Sequence, residues 1–274
     1  MVRKLNGKIL NVLDQIIEGV REDLAERKKI VEVNRVLEKM SEANPVIDVL
    51  PSLQSSKLSV IAEVKRSSPS KGALAEILDP ADLALSYQAG GATAVSVLTE
   101  SRKFGGSLAD LAAVRSAVNI PILRKDFMVD PYQIIEAKAY GADVILLIAA
   151  CLTPLAVKEL ATVAKDIGLE VLLEIHTKDE LDHVCDGIDM VGINNRNLKT
   201  FEVDLAHSIA LANMLPAHLP KIAESGISKV STILELKKEG FDGFLIGENF
   251  MKTPDPAAAF EAFVADLKKR ENES

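Results

Sequence analysis

The sequence predicts a single α/β domain in which eight parallel strands close into a β/α barrel, preceded by an extra helical segment. Short runs rich in Val, Ile and Leu occur eight times along the 274 residues, and helical patterns separate them. Strands of such continuous apolar character are typical of a parallel sheet covered by helices. The length suits one barrel domain of about 250 residues. An open, doubly wound sheet usually carries a glycine-rich fingerprint after its first strand, and neither GxGxxG nor GxxxxGKS/T occurs in the chain.

The composition is that of a globular protein. Hydrophobic residues make up 48% and charged residues 26% of the chain, which excludes a disordered or fibrous protein. The formal net charge of -8 disfavours generic nucleic-acid binding, because affinity for the phosphate backbone comes from clustered Lys and Arg. We therefore expect no nucleic-acid partner, and an anionic substrate would need cations brought together locally.

The cysteines, the histidines and the N-terminus indicate where the protein works and with which groups. Cys151 and Cys185 are the only cysteines, and we interpret them as packing residues of a protein in the reducing cytoplasm. The four histidines form no metal-binding motif, so we expect no metal. We expect neither a signal peptide nor a membrane span, because charged residues interrupt the N-terminus and no apolar run reaches roughly 20 residues. The oligomeric state is left open, although nothing in the sequence requires more than a monomer.

The first forty residues predict one long helix, from about residue 5 to residue 40. Apolar residues recur there at steps of three and four, which places them on one face of a helix. They are Ile9, Leu13, Ile16, Val20 and Leu24. Asn44-Pro45 would end the helix. We take residues 1–50 as this N-terminal extension and residues 57–270 as the barrel, within one domain that spans residues 1–274.

The barrel elements follow in regular order. The strands are predicted near residues 58–64, 94–98, 120–124, 143–149, 169–175, 188–193, 220–224 and 243–247. Helix starts carry an N-cap residue followed by proline at Asp79-Pro80, Asp130-Pro131 and Thr153-Pro154, a capping box from Thr177 to Glu180, and a suitable cap at Ser228. Glycines that fit the left-handed residue after a helix are Gly90, Gly141, Gly168, Gly187 and Gly240.

Polar residues stand at seven of the eight predicted strand ends, where a β/α barrel builds its active site. In chain order these are Glu63 and Lys65; Ser96, Thr99 and Glu100; Arg124, Lys125 and Asp126; Glu174; Asn194, Asn195 and Arg196; Glu224 and Ser225; and Glu248 and Asn249. The fourth strand ends in Ile148-Ala149-Ala150 instead. That end predicts an apolar wall for a ring.

Each polar strand end, taken alone, has a simpler explanation. Loops are hydrated, and Glu63 and Lys65 on one face of a strand could be a structural ion pair. Lysines and glutamates inside otherwise apolar strands are, however, costly to bury without mutual partners. Their coincidence at seven strand ends therefore favours a catalytic site.

The last two strand ends indicate a phosphate site. Gly226 and Gly247 would let an anion approach backbone N–H groups, and helices beginning near Ser228 and after Gly247 would direct their N-termini at it. The loops after the seventh and eighth strands usually bind phosphate in barrels. Ser68, with Ser67 or Ser70, would close that site from the neighbouring first strand.

Six motifs, taken in this order, identify a family. They are Ala62-Glu-Val-Lys-Arg-Ser-Ser-Pro-Ser, Ser96-Val-Leu-Thr-Glu, Leu123-Arg-Lys-Asp-Phe, Leu173-Glu, Gly192-Ile-Asn-Asn-Arg-Asn-Leu and Ala223-Glu-Ser-Gly-Ile. As a set, they resemble the indole-3-glycerol phosphate synthase family of tryptophan biosynthesis, over roughly residues 5–265. The chain differs from some members of that family at Glu248, where they carry Ser, so we expect only backbone N–H donation to phosphate there.

The resemblance implies a decarboxylating lyase that needs no organic cofactor or metal. Its small-molecule sugar-phosphate substrate is 1-(2-carboxyphenylamino)-1-deoxyribulose 5-phosphate, which the family converts to indole-3-glycerol phosphate with release of carbon dioxide and water. Lys125 would be the general acid and Glu174 the general base, and the other implied catalytic residues are Lys65, Glu63, Asn194 and Ser225. The implied substrate-binding residues are Ser68, Arg196, Glu224, Gly226, Gly247, Phe104 and Phe127.

The residues agree with this chemistry independently. A carbonyl must be protonated while an aromatic carbon attacks it, so an acid is needed, and an ordinary lysine with a pKa of about 10.4 is a reluctant one. Burial lowers the pKa of a lysine, whereas nearby carboxylates such as Glu63 or Glu174 raise it. The sequence leaves open which of the two effects dominates at Lys125.

Three other functions fit a phosphate-binding barrel. Phosphoribosylanthranilate isomerase usually relies on a Cys or Asp pair, and no cysteine lies at the first strand end here. An FMN-binding barrel oxidoreductase could use the same phosphate site and would be yellow when purified. A non-catalytic scaffold should have lost some polar strand ends, whereas all the matched ones are present.

Overall fold

A closed barrel of eight parallel strands forms the centre of the molecule, as the sequence predicts. The computed structural model describes residues 4–5, 8–9, 12–55, 57–68, 72–73, 79–196 and 203–273. The barrel strands are β1 (Ser59–Val64), β2 (Ala94–Leu98), β3 (Ile122–Lys125), β4 (Val144–Ile148), β5 (Glu170–Ile175), β6 (Met190–Asn194), β7 (Lys221–Glu224) and β8 (Gly243–Ile246). Each strand pairs in parallel with its neighbours in the chain, and β8 pairs with β1 to close the barrel.

The helices of the described residues cover the outside of the barrel and extend it at the N-terminus. They are α1 (Val12–Ile30), α2 (Val33–Ser41), α3 (Leu50–Leu53), α4 (Pro80–Gly90), α5 (Leu108–Ala117), α6 (Pro131–Ala139), α7 (Pro154–Asp166), α8 (Leu205–Ala212), α9 (Val230–Lys238), α10 (Glu248–Met251) and α11 (Pro256–Glu271). Two 3₁₀ helices, Ala149–Cys151 and Lys178–His183, follow β4 and β5. Among the helices of the described residues, none combines the length and the apolar character that a membrane crossing requires.

The predicted helix starts are largely confirmed. The side chains of Asp79, Asp130 and Thr153 accept backbone N–H groups at the starts of α4, α6 and α7. The predicted cap at Ser228 is wrong, because α9 begins one residue later with Lys229 at the N-cap and no side-chain cap. Ser228 instead lines the cavity described below.

Two predictions on helix ends and types need correction. The left-handed residue after α4 is Gly91, with φ 98°, and Gly90 is the last residue of the helix. The capping box at Thr177 starts a 3₁₀ helix that ends at His183, well before the left-handed Gly187.

The predicted single helix over residues 5–40 is wrong. Lys4–Leu5 pairs antiparallel with Lys8–Ile9, and two helices follow, with the break between Ile30 and Val33. At the break the Tyr132 hydroxyl donates to the Val31 carbonyl over 3.0 Å. Because the carbonyl at the end of α1 finds this partner, the chain can turn there, and both helices pack on α6 in one cluster that includes Leu24 and Val36.

The barrel interior is filled at its N-terminal half. Ile61, Leu123, Leu172 and Ile222 point inward from alternate strands and pack together as a buried cluster. Val49, just before α3, and Leu53, its last residue, pack against the same cluster from below. Among the described residues the interior is therefore closed at the bottom, and the space for a ligand inside the barrel lies at the C-terminal ends of the strands.

Candidate active site

A cavity of about 380 Å³ opens at the C-terminal ends of the barrel strands. This volume suits a small-molecule ligand. Twelve predicted site residues line it: Glu63, Lys65, Phe104, Lys125, Phe127, Glu174, Asn194, Arg196, Glu224, Ser225, Gly226 and Gly247. The backbone of Ser68 pairs with Gly72 in a short antiparallel ribbon beyond β1, and its side chain lies outside the described residues, as does Ser70.

Lys125 occupies the centre of the polar half of the cavity. Its Nζ donates to Glu174 Oε2 over 3.2 Å and also to Glu224 Oε2. Burial lowers the pKa of Lys125, but Glu224, Glu174 and Glu63 raise it more, so the net shift is upward. The structure thereby answers the question that the sequence leaves open, and Lys125 stays protonated near neutral pH.

The two carboxyl groups beside Lys125 titrate differently. Burial raises the pKa of Glu174, but Lys125 and His176 lower it by more than burial raises it. The net result is a pKa of about 2. Burial and the nearby Glu174 raise the pKa of Glu224 to about 7 against the opposing effect of Lys125. A pair of neighbouring carboxyl groups with separated pKa values is typical of acid–base sites. One is ionised and the other can carry a proton near neutral pH.

Two further residues border the Glu174 carboxylate. Asn194 Nδ2, on the neighbouring strand β6, donates to Glu174 Oε1 over 3.2 Å. His176 Nε2 lies 3.3 Å from the same oxygen. With Lys125 on the other oxygen, the Glu174 carboxylate has a fixed position and orientation.

The predicted pair at the end of β1 is also formed. Lys65 Nζ lies 2.5 Å from Glu63 Oε1, because the two side chains are two residues apart on one face of the chain. Gly247 makes room for this pair, since a Cβ there would lie 2.8 Å from the Cβ of Glu63. Gly192 does the same for Glu224, whose carboxylate occupies the place of the missing side chain.

The loops after β6, β7 and β8 meet at one edge of the cavity. Arg196 Nη2 donates to Glu248 Oε2 over 2.9 Å, which links the first of these loops to the last. Asn195 Nδ2 donates to the Ser225 carbonyl over 2.8 Å. Ser225 and Gly226 are both left-handed, with φ 67° and 72°, so the chain turns sharply after β7.

An apolar wall stands opposite this edge. The rings of Phe104 and Phe127 have centroids 6.1 Å apart, and Ile148 lines the same side from the end of β4. Ile148 of the predicted apolar strand end thus borders the cavity, and its role as a wall for a ring stays a prediction. The Glu100 carboxylate accepts N–H groups from Arg102, Lys103 and Phe104, which holds the Phe104 loop in place.

Sequence reasoning missed two contributors to the site. Val12, Leu13 and Ile16 of α1 line the cavity, whereas the stripe pattern contains only the last two and indicates only that they share a helix face. His176 Nε2 lies 3.3 Å from Glu174 Oε1. The signal that could have identified this residue is its position two residues after Glu174, on the same face of the chain. Arg124, in contrast, points away from the cavity into the layer between strands and helices.

No group of three or more His, Cys, Asp or Glu side chains within the described ranges is placed to hold a metal ion. Cys151 and Cys185 are free thiols, and each packs against a hydrophobic cluster. Both cysteines are therefore packing residues, as predicted.

Buried acid–base side chains at the C-terminal end of a β/α barrel define an enzyme of the barrel class. The likeness to solved structures supports this fold: KGPDC from Streptococcus mutans aligns with a TM-score of 0.58 and 18% identity, over 78% of this chain and 99% of that one. At that identity the likeness shows the fold alone.

Sequence comparison identifies the family. The family pattern described as indole-3-glycerol phosphate synthase matches residues 13–263. Indole-3-glycerol phosphate synthase 1 of Streptomyces coelicolor is 49% identical over 93% of this chain and 96% of its own length. Indole-3-glycerol phosphate synthase of Mycobacterium sp. strain KMS is 49% identical over 93% of both chains. The chain belongs to the indole-3-glycerol phosphate synthase family.

Proposed function

We propose that the protein converts 1-(2-carboxyphenylamino)-1-deoxyribulose 5-phosphate to indole-3-glycerol phosphate in tryptophan biosynthesis, with Lys125 as the general acid. The single observation that carries this assignment is the placement of Lys125 between the Glu174 and Glu224 carboxylates inside the cavity. Family membership supplies the reaction, and this cluster supplies the acid and the base that the reaction needs.

The raised pKa of Lys125 suits the ring-closing step. The aromatic carbon that bears the carboxylate attacks the ketone carbon, and the carbonyl oxygen gains the electron pair of its π bond. That oxygen is a strong base only while it becomes an alkoxide, so a lysine that holds its proton firmly releases it at that moment and not before. Loss of carbon dioxide then returns the electron pair to the ring and restores its aromaticity.

Dehydration completes the indole. The new hydroxyl takes a second proton, which we assign to Lys65, and leaves as water, while a base removes a proton from the carbon that adjoins the ring nitrogen. We assign this base to Glu174, which is ionised near neutral pH and held by Lys125 and Asn194. Glu224 contacts the same lysine as Glu174 does. Because its pKa is about 7, it can take up a proton near neutral pH.

The remaining cavity residues would bind the substrate. Phe104, Phe127 and Ile148 offer an apolar wall to its aromatic ring. Lys65 offers a cation to its carboxylate, and Glu63 holds that cation in place. We assign its phosphate to the edge formed by Gly226 and Gly247, with Ser68 and Arg196 beside it.

The test is indole formation followed by fluorescence with wild type and Lys125→Ala. We expect turnover by the wild type and a loss of at least about a hundredfold in the variant, since a general acid contributes on the order of 10²- to 10⁴-fold. Lys158→Ala, on the exposed face of α7, is the matched control and should keep wild-type turnover. No turnover by folded wild type would reject the function, and loss in Lys65→Ala but not in Lys125→Ala would exchange the roles of the two lysines.

We also propose that the protein works in the cytoplasm as one domain, with residues 1–50 as a helical extension of the barrel at residues 57–270. The contribution of α1 to the cavity wall supports a single unit, and the free thiols suit a reducing compartment. We expect one cooperative unfolding transition, with the same midpoint when it is followed by fluorescence and by circular dichroism.

A further inference from the structure

His176 is a buried histidine beside the catalytic cluster that the proposed reaction does not use. It follows β5, two residues after Glu174, and the residue is only 8% exposed. Both of its ring nitrogens are buried without a hydrogen-bond partner among the described residues. A buried ring with two unsatisfied nitrogens is unfavourable unless charge interactions compensate for it.

The groups around the imidazole are mostly acidic. Nε2 lies 3.3 Å from Glu174 Oε1, and Nδ1 lies 3.8 Å from Glu180 Oε2, so the ring stands between two carboxylates. The titratable and charged groups that face it are Glu174 from β5, Glu180 from the 3₁₀ helix, Glu224 from β7 and His207 from α8, with Lys125 on the far side of Glu174. His207 contacts the backbone of His176, where its Nε2 donates to the carbonyl over 2.9 Å.

The short segment after β5 fixes this arrangement. Glu180 Oε2 accepts the backbone N–H of His176 over 2.5 Å and that of Thr177 over 3.2 Å. The same carboxylate thus holds the backbone of the histidine and faces its side chain. The 3₁₀ helix and the end of β5 are joined in this way, which holds the backbone from which the imidazole projects toward Glu174.

We propose that His176 is a positioning residue whose imidazolium, held between Glu180 and Glu174, keeps the Glu174 carboxylate ionised. This inference rests on the proposed function, in which Glu174 is the general base. Burial lowers the pKa of His176, but Glu180, Glu174 and Glu224 raise it more, so the net shift favours the charged ring. An opposite charge within about 4–6 Å lowers the pKa of a carboxyl group by about one to three units.

The first test is the pH dependence of kcat in wild type and His176→Asn. Loss of the imidazolium should raise the pKa of Glu174, so the acidic limb of the variant should move to higher pH by at least about one unit. His176→Gln, whose amide is also uncharged but sits on a longer side chain, should show the same shift. His183→Asn is the matched control: His183 is also buried in this segment, but its nitrogens contact the backbone carbonyls of Glu180 and Leu152, and its removal should leave the limb in place.

The second test needs no turnover. Nitrogen-15 NMR of histidine-labelled protein should show both nitrogens of His176 protonated at pH 7, with a titration above the ordinary value of about 6.5. Glu180→Gln should bring that titration down. A His176 that titrates at or below about 6.5, or identical acidic limbs in wild type and His176→Asn, would overturn the inference. An inactive wild type with the expected NMR titration would reject the proposed function and leave the charged arrangement standing.

Discussion

Arg124 and Lys125 are neighbours in the chain, yet their side chains leave β3 on opposite sides. Lys125 points into the cavity, whereas Arg124 is 1% exposed in the layer between strands and helices. There Arg124 donates to Thr99, Asp126 and Glu136 over 3.0, 2.9 and 3.1 Å. One residue thus lies in the candidate active site, and the other satisfies buried acidic groups.

Arg124→Met should therefore destabilise the protein while Lys125→Met abolishes turnover. Removing the guanidinium leaves the buried Asp126 and Glu136 without this partner, which costs about 3–5 kcal/mol of unfolding free energy. The stability loss in Lys125→Met should be smaller, because Glu224, whose pKa is raised to about 7, can take up a proton and so avoid an unpaired buried charge. Urea denaturation together with turnover at a temperature where both variants are folded checks this pair. Equal stability losses in the two variants would contradict the distinction.

The sequence predicted much of the site because strand geometry is regular at the residue scale. Alternation along β1 places Glu63 and Lys65 on one face, and the structure brings them together. Alternation alone does not say which neighbouring groups a side chain meets. The contacts of Lys125 with Glu224 and of Arg196 with Glu248 join strands far apart in the chain, and these depend on the closure of the barrel.

At the scale of elements, two strand glycines decide where side chains fit inside the barrel. Gly192 of β6 leaves room for the Glu224 carboxylate at the cavity, and a Cβ there would also lie 3.3 Å from Leu172 Cδ1. Gly243 of β8 lies at the opposite end, where a Cβ would meet Ile222 and Leu53 at 2.6 and 2.8 Å. Gly192 therefore makes room for a side chain of the site, whereas Gly243 makes room for the packed core at the bottom of the barrel.

Gly192→Ala should lower kcat by about a hundredfold, because the new methyl group displaces Glu224 and with it Lys125, and a misplacement of about 1 Å can cost that much. Gly243→Ala should instead lower the thermal midpoint and leave kcat near the wild-type value. The measurement is a steady-state assay and a thermal scan on each variant. A Gly192→Ala protein with wild-type kcat would show that the Glu224 carboxylate can move without consequence.

The N-terminal segment shows where sequence periodicity fails at this scale. The apolar stripe correctly predicts a helix around Ile16, Val20 and Leu24, all of which are buried. It cannot show the break after Ile30, because that turn depends on Tyr132, which is about a hundred residues away in the chain and donates to the Val31 carbonyl. The lining of the cavity by α1 is a tertiary contact of the same kind.

At the scale of the whole molecule, β5 carries ionisable groups at both ends of the barrel. Glu174 is at the top, Leu172 is in the middle, and Glu170 is at the bottom, all on the inward face. Glu170 Oε2 accepts the Val49 N–H over 3.0 Å, which ties the segment before β1 to the base of the barrel. Burial and the hydrogen bond with Asp48 raise the pKa of Glu170 to about 8.

This raised pKa predicts that stability falls as the pH rises. A carboxyl group whose pKa is higher in the folded state than its unfolded value of about 4.3 binds more protons when folded, so its contribution is complete below that value and is lost as pH rises through about 8. Glu170→Gln keeps the acceptor for Val49 and stays neutral. Between pH 5 and pH 8 the unfolding free energy of this variant should decline less than that of wild type. The difference between the two proteins should grow by on the order of 1 kcal/mol per pH unit within the titration range.

Urea denaturation of wild type and Glu170→Gln at pH 5, 6.5 and 8 measures the difference directly, since other titrating groups are common to both proteins. Glu159→Gln, the same change on the exposed face of α7, is the control and should run parallel to wild type. If Glu170→Gln also ran parallel to wild type, the carboxyl group at the bottom of the barrel would be ionised throughout this range. The barrel would then tolerate a buried charge beside Asp48, and the base of β5 would not contribute to the pH dependence of folding.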